Sequence, residues 1–329
     1  MKCVVTGGAG FIGSHLCERL LKDGHKVWAI DDESVGRRSN LDEAFTYKNF
    51  AYFKMDITRS ASFDNYFEGA DWVFHLGAKA DIVPSISKPY DYHKTNVTGT
   101  LRILQACRKY DVRRFIYAAS SSCYGIPDKV PTDEKSEIRC MYPYALTKYL
   151  GECYALHWAK VYGLPTVSLR FFNVYGPRAR TSGTYGAVFG VFLAQIHHGK
   201  PLTVVGDGRQ TRDFTFVTDA VDALVTAAQS NLSSEILNVG SGNTHSVNQL
   251  VELLDPTAGV IYLPKRPGEP DCTFADISKI QRLLGWSPKI SFEQGVNVMK
   301  DLIHTYKDAP LWEKDSIAEA TRDWFECLR

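Results

Sequence analysis

The chain has 329 residues, which at roughly 150 residues per domain suggests about two domains and a cleft between them. Hydrophobic residues make up 44% and charged residues 23%, which excludes disordered and fibrous classes. Lys and Arg number 38 against 37 Asp and Glu, and the resulting net charge of +1 gives no support to a sequence-independent nucleic-acid binder, though it is compatible with a local basic pocket for one small anion. Short β-rich runs at Cys3–Val5, Val27–Ile30, Ala51–Met55, Trp72–Leu76, Phe115–Ala118 and Thr166–Arg170 alternate with helical patterns at Phe11–Lys22, Asn96–Tyr110 and Tyr144–Val161. That alternation predicts βαβ units and a doubly wound parallel sheet, an α/β fold. After about residue 176 the rhythm breaks: Gly, Thr and Arg cluster over 176–186, a helix is expected over 187–198, a strand over Leu202–Val205, a loop over Asn231–Glu235 and a Pro-rich charged stretch over Pro264–Pro270. The expected organisation is a nucleotide-binding domain over 1–176 and a smaller mixed α/β lobe over 177–329, partly interleaved with the first.

Thr6-Gly7-Gly8-Ala9-Gly10-Phe11-Ile12-Gly13 follows the first strand and opens the first helix. Glycines at 7, 10 and 13 permit a tight turn, close approach of backbone to a pyrophosphate and close helix–strand packing, and the helix N-terminus presents N–H groups to phosphate. The second strand ends in Asp31-Asp32, about twenty residues on, where a carboxylate accepts from adenosine ribose hydroxyls and repels a 2′-phosphate. NAD is therefore expected over NADP, although Arg37 and Arg38 follow closely. Asp56-Ile57 closes the next strand; Asp56 suits the adenine amino group as well as it suits an ordinary strand end.

Tyr144 and Lys148 are four residues apart on a helix, hence on one face. A free tyrosine is a poor base at neutral pH, and a nearby ammonium together with a cationic nicotinamide favours the phenolate. Ser120 ends an earlier strand, where ligands gather in open α/β sheets. The three side chains can together remove a hydroxyl proton while the carbon loses hydride to NAD.

Eight scattered cysteines show neither a metal-ligand spacing nor a disulfide framework, and free thiols fit a reducing compartment. The start, Met1-Lys2-Cys3-Val4-Val5, does not read as a signal peptide, and there is no run of about 18 apolar residues. A cytoplasmic protein acting on a small molecule is expected, with no metal, membrane or nucleic-acid partner.

On the glycine loop, His75-Leu76-Gly77-Ala78, Asn96-Val97-Thr98-Gly99-Thr100, Ser120 through Gly125, Tyr144 with Lys148, Arg170 through Arg178, Gly206 through Phe214 and Arg266-Pro267-Gly268-Glu269, the chain resembles the extended short-chain dehydrogenases/reductases, in their NAD-dependent nucleotide-sugar epimerase/dehydratase branch. The resemblance implies a Rossmann domain of about seven strands, with Gly7, Gly10, Phe11, Ile12, Gly13, Asp31, Asp32, Asp56, Ile57, Leu76, Gly77, Ala78, Tyr144, Lys148 and Phe171 around NAD. It implies that Asn173, Arg212 and Arg266 hold a diphosphate, Glu269 the nucleotide ribose, and Thr203 and Val205 flank the base. Dehydratases of the branch carry an Asp-Glu pair just after the catalytic Ser or Thr; here Ser121 and Ser122 stand there. Decarboxylases resemble a pattern with Glu at the Ser122 position. The pattern is most like a 4-epimerase of the UDP-glucose type. Backbone amides of Ala187 and Val188 are expected on the diphosphate where some epimerases use an Asn. Thr273, in place of a bulky Tyr, leaves room for an N-acetyl group, or is simply a strand residue. A stand-alone nucleotide-sugar C4 dehydrogenase is the alternative; intact Ser120, Tyr144 and Lys148 argue against a non-catalytic binding module. The resemblance also implies a homodimer through the helices beginning near Asn96 and Tyr144, whose apolar faces could equally cover the sheet.

Overall fold

The computed structural model describes residues 1–59, 63–179, 188–255 and 257–328. Its centre is a seven-stranded sheet of β1 Lys2–Thr6, β2 Lys26–Asp31, β3 Phe50–Lys54, β4 Trp72–His75, β5 Arg114–Ser120, β6 Thr166–Phe171 and β7 Glu235–Val239. The spatial order is 7-6-5-4-1-2-3 and every pairing is parallel. Winding reverses between β1 and β4, so the C-terminal ends of these strands part around a crevice, the usual ligand position in such a sheet.

Six strands fall on the expected runs to within two residues at either end. Their side chains alternate between two apolar layers, as a period of two requires. Val5, Phe74, Ile116 and Val167 pack with Leu16 and Leu20 of the helix Phe11–Lys22 and with Leu224 of the helix Val217–Gln229. Val4, Val73, Phe115 and Tyr117 face Ile103 and Leu104 of the helix Thr100–Lys109 and Ala155 and Trp158 of the helix Pro143–Tyr162. A further apolar cluster follows residue 174: Tyr175, Phe189, Phe192, Phe214, Phe216 and Phe292 pack together, with Phe214 and Phe292 stacked at 5.0 Å.

Two expectations need correction. The loop expected over Asn231–Glu235 stops at Ser234, because Glu235 already pairs with Val167 as the first residue of β7. The helix expected from Asn96 starts regularly only at Thr100, after a wider π-type turn over Lys94–Gly99. There Asn96 is buried: its Oδ1 accepts from the Lys79 N–H (2.8 Å), and its Nδ2 donates to the Lys79 carbonyl (3.0 Å) and to Thr147 Oγ1 (3.1 Å). The helix expected over 187–198 is Val188–His197, and the strand Leu202–Val205 pairs with Val260–Leu263. Among the described residues no helix is long and apolar enough to cross a membrane, and no group of His, Cys, Asp or Glu could hold a metal ion.

Candidate active site

A cavity of about 540 Å³ opens over the C-terminal ends of β1, β2, β4, β5 and β6. Its floor is the glycine loop. Gly7 takes a left-handed φ of +70° and a Cβ there would lie 2.8 Å from the Gly77 nitrogen; a Cβ on Gly13 would lie 2.1 Å from the Gly7 carbonyl oxygen. No side chain larger than hydrogen fits at either place. The helix Phe11–Lys22 begins at Gly10 without a side-chain cap, and Phe11, Ile12 and Gly13 line the cavity. A bare helix start behind a glycine turn fits a dinucleotide pyrophosphate.

Asp31, Asp32, Asp56, Ile57, Leu76, Gly77, Ala78 and Phe171 line the same cavity. Asp31 is buried and its carboxylate already has two backbone donors, Ala9 N–H (3.0 Å) and Glu33 N–H (2.8 Å). It therefore ties the strand end to the glycine loop. Asp32 accepts from the Ser34 N–H at 2.9 Å, and Asp56 from the N–H and hydroxyl of Thr58, both at 2.7 Å. Behind the floor, fully buried His75 bridges Thr6 and Thr100 at 2.6 and 2.8 Å, and burial pushes its pKa down to about 3, so it stays neutral.

Ser120, Ser121, Ser122, Tyr144 and Lys148 meet on the opposite wall. Ser120 ends β5 and caps the turn Ser121–Tyr124; its Oγ lies 2.8 Å from Ser122 Oγ. Burial raises the Tyr144 phenol above its ordinary value; the neighbouring Ser120 hydroxyl offsets part of this, and the Asp81 carboxylate adds to it. In the chain alone, burial is the dominant influence on Tyr144. Lys148 is itself buried, its Nζ lies 4.5 Å from the Tyr117 ring centroid, and burial pushes its pKa down to about 7, opposed by Glu152. Spacing placed the two side chains on one wall but carried no information about desolvation, which dominates both groups.

Asn173, Arg212, Glu269 and Thr273 line the far end. Glu269 Oε1 lies 3.6 Å from Arg212 Nη2 and 3.8 Å from Arg266 Nη1. Asn173 Nδ2 donates to Thr273 Oγ1 (2.8 Å) and to the Asp213 carbonyl (3.2 Å), so these two side chains hold each other. Arg266 lies just behind the wall and is nearly buried. Thr203 turns inward: its hydroxyl accepts from Gln195 Nε2 (2.9 Å) and its N–H donates to Gln195 Oε1 (3.1 Å), so its side chain faces the protein interior rather than the cavity. Val205 and Val188 are half-buried and outside the cavity lining, and Ala187 is outside the described residues. Sequence reasoning did not single out Asp81, Tyr142 or Gly268, which also line the cavity. Gly268 lies inside a quoted motif with φ +71°; Asp81 and Tyr142 carry no local signal, because each reaches the wall from a loop.

A switch-point crevice with a glycine floor and a serine–tyrosine–lysine wall is the outline of a dinucleotide-dependent α/β enzyme. The model of the NAD-dependent epimerase/dehydratase family matches residues 3–240, and the chain belongs to that family. It is 37% identical over 311 residues to an uncharacterised UDP-glucose epimerase of Bacillus subtilis, a match covering 90% of this chain and 96% of that one. It is similar to the crystal structure of UDP-glucose 4-epimerase from Thermotoga maritima with UDP-glucose, at 34% identity and TM-score 0.87, over 93% of this chain and 99% of that one. It is similar to the same extent (33% identity, TM-score 0.87, 93% and 99% covered) to UDP-glucuronic acid 4-epimerase from Bacillus cereus in complex with UDP-glucuronic acid and NAD.

Proposed function

We infer that the chain is a UDP-hexose 4-epimerase that oxidises its substrate transiently at C4. The observation that carries this is the wall itself: Ser120, Tyr144 and Lys148 line it together, and the next two positions after Ser120, Ser121 and Ser122, offer hydroxyls where a dehydratase needs a carboxylic acid. Neither serine can protonate a leaving hydroxyl near neutral pH. The names of the similar proteins support a UDP-sugar and a 4-epimerisation.

Bound NAD supplies the reversible acceptor for the C4 hydrogen and its electron pair. Tyr144, as phenolate, takes the C4 hydroxyl proton, and Ser120 bridges the substrate oxygen and the phenol. Lys148, in its ammonium form, stabilises that phenolate. The 4-keto sugar turns over in the cavity and regains its proton from Tyr144 when the hydrogen returns to its other face. Gly7, Gly10 and Gly13 would admit the pyrophosphate of NAD, Asp31 and Asp32 would accept from its adenosine ribose, and Asp56 and Ile57 would hold its adenine. Arg212 and Arg266 neutralise the sugar nucleotide's diphosphate, Glu269 meets its ribose, and Thr273 leaves space for an N-acetyl substituent. In this reading residues 1–176 form the NAD domain and 177–329 the nucleotide-sugar lobe, interleaved through β7. The protein works in the cytoplasm as a homodimer; Leu146 and Val161, about half exposed on the helix Pro143–Tyr162, support that face as the contact.

The test is incubation with UDP-glucose, UDP-galactose, UDP-N-acetylglucosamine and UDP-glucuronate, with products separated by chromatography. Expected is a mixture of C4 epimers of at least one of them without net change in the near-ultraviolet absorbance of reduced nicotinamide. A stoichiometric rise in that absorbance identifies a C4 dehydrogenase instead. No turnover of UDP-N-acetylglucosamine under conditions that turn over UDP-glucose removes the role given to Thr273.

A further inference from the structure

The helix Lys314–Cys327 lies far along the chain from every motif, yet its Trp324 is 2% exposed and reaches the arginine end of the cavity from behind. Three contacts fix it there. The indole Nε1–H donates to the Pro267 carbonyl at 2.7 Å. The Arg266 guanidinium carbon lies 5.4 Å from the centroid of the indole ring. The ring of Tyr142 lies 6.0 Å away, and Tyr142 in turn stacks 6.4 Å from Tyr144 with the planes 5° apart. The segment held this way is the one that brings Gly268, Glu269 and Pro270 to the cavity wall.

Physically, one indole does two things. Its face stabilises a desolvated guanidinium and restricts an otherwise rotamer-rich side chain. Its N–H pins the backbone on which the glutamate between the two arginines is carried. Without it, Arg266 loses one of the contacts that order it before the ligand arrives, and more of that ordering falls on binding, which weakens the ligand's apparent affinity.

We propose that Trp324 is a positioning residue for the nucleoside diphosphate: it holds Arg266 and the Arg266–Pro270 turn in their binding arrangement, and so sets substrate affinity rather than the rate of the chemical step. This rests on the reading of Arg266 as a diphosphate ligand. Trp324→Phe keeps a ring under the guanidinium and loses the indole donor; Trp324→Leu loses both.

The probe is UDP itself, titrated calorimetrically into the NAD-loaded protein, alongside KM and kcat for the sugar nucleotide. Trp324→Leu is expected to weaken UDP about tenfold and Trp324→Phe about threefold, with KM rising in parallel and kcat within about twofold of the wild type. NAD content stays unchanged in both. In an Arg266→Ala background, Trp324→Phe adds less than about twofold further loss, because the two residues act as one unit. If Trp324→Phe, which keeps the core filled, binds UDP as the wild type does, or if its loss is fully additive with that of Arg266→Ala, Trp324 is packing alone and the proposal is overturned. A fall in kcat at unchanged KM overturns it too. If Arg266→Ala itself leaves UDP affinity unchanged, the reading of Arg266 falls and takes the proposal with it, a result distinct from the other three.

Discussion

The two ends of the cavity are built differently. At the glycine end, the glycine loop and Asp31 are already tied to neighbouring backbone. Asp31 holds Ala9 and Glu33 at 3.0 and 2.8 Å, the Arg37 N–H and Asn40 Nδ2 reach the Ala9 carbonyl at 3.0 and 2.9 Å, and glycine contacts leave no slack. At the arginine end, Glu269 stands 3.6 and 3.8 Å from its two cations, beyond hydrogen-bond distance. Such a carboxylate offsets one of the two positive charges without itself locking either side chain. A rigid cradle suits a cofactor that is regenerated in each turnover and stays bound. A loosely compensated cation pair suits a diphosphate that must arrive and leave, because fork-like bonds to phosphate replace weak contacts rather than strong ones.

The largest effect is expected at the seam between the two ends. Tyr144→Phe removes the phenol that lines the cavity wall with Ser120 and Lys148, and kcat should fall about a thousandfold or more. Copurifying NAD and UDP affinity should both remain at wild-type levels. Activity within tenfold of the wild type would mean that another group takes the proton.

Gly13→Ala breaks the cradle alone. Its Cβ would stand 2.1 Å from the Gly7 carbonyl oxygen, which forces the turn open. NAD should bind about 10- to 100-fold more weakly, from an overpacking cost of about 1–3 kcal/mol, and the melting temperature should drop. UDP affinity of protein saturated with NAD should hold. If UDP is lost in step with NAD, the two ends are not independent and the comparison fails.

Arg212→Gln breaks the opposite end alone. Arg212 is anchored by a bond from Nη1 to the Thr211 carbonyl (2.9 Å), and its Nη2 is nearer to Glu269 Oε1 than Arg266 Nη1 is. UDP should bind about tenfold more weakly, the loss of one charge-assisted contact, while NAD retention stays the same. Titration in rising salt sharpens this, because the mutant should lose less affinity on going to high salt than the wild type does.

The sequence made the glycine end legible and the arginine end only partly so, and the reason is range. The glycine loop, Phe11–Lys22 and Asp31 are local features: a turn, a helix and a strand end within about thirty residues, each with its own composition. The seventh strand was hidden because Asn238 interrupts its apolar run. In the fold Asn238 is fully buried, with Tyr124 donating to its Oδ1 at 2.8 Å and its Nδ2 donating to the Thr132 carbonyl at 2.9 Å. A polar residue satisfied by partners more than a hundred positions away leaves no periodic signal. The resemblance pointed to Arg212, Arg266 and Glu269, which the fold brings together, and also to Thr203, whose side chain turns inward to Gln195, a partner no local signal announces. Trp324 is joined to Pro267 across 57 positions, with nothing in the intervening chain to announce it. The Tyr144–Lys148 pair shows the same limit in electrostatic form: spacing gives proximity, and burial decides the protonation states.

Asp81 offers the smallest and most discriminating change. It is half-buried at the cavity wall between the two ends, immediately before the helix Ile82–Ser87, and its negative charge disfavours a second negative charge on Tyr144. Asp81→Asn removes that repulsion, so the Tyr144 pKa falls and the phenolate becomes available at lower pH. The acid limb of kcat/KM should therefore move toward lower pH at low ionic strength, and less in high salt because a half-exposed charge is screened. Lys148 loses its proton as pH rises through about 7, so its contribution changes over a window that the asparagine leaves in place. A limb that moves to higher pH would show that Asp81 holds the tyrosine by contact rather than by charge. A limb that stays put would show that burial and Ser120 alone set the base, and that the wall between the two ends is electrostatically independent of both.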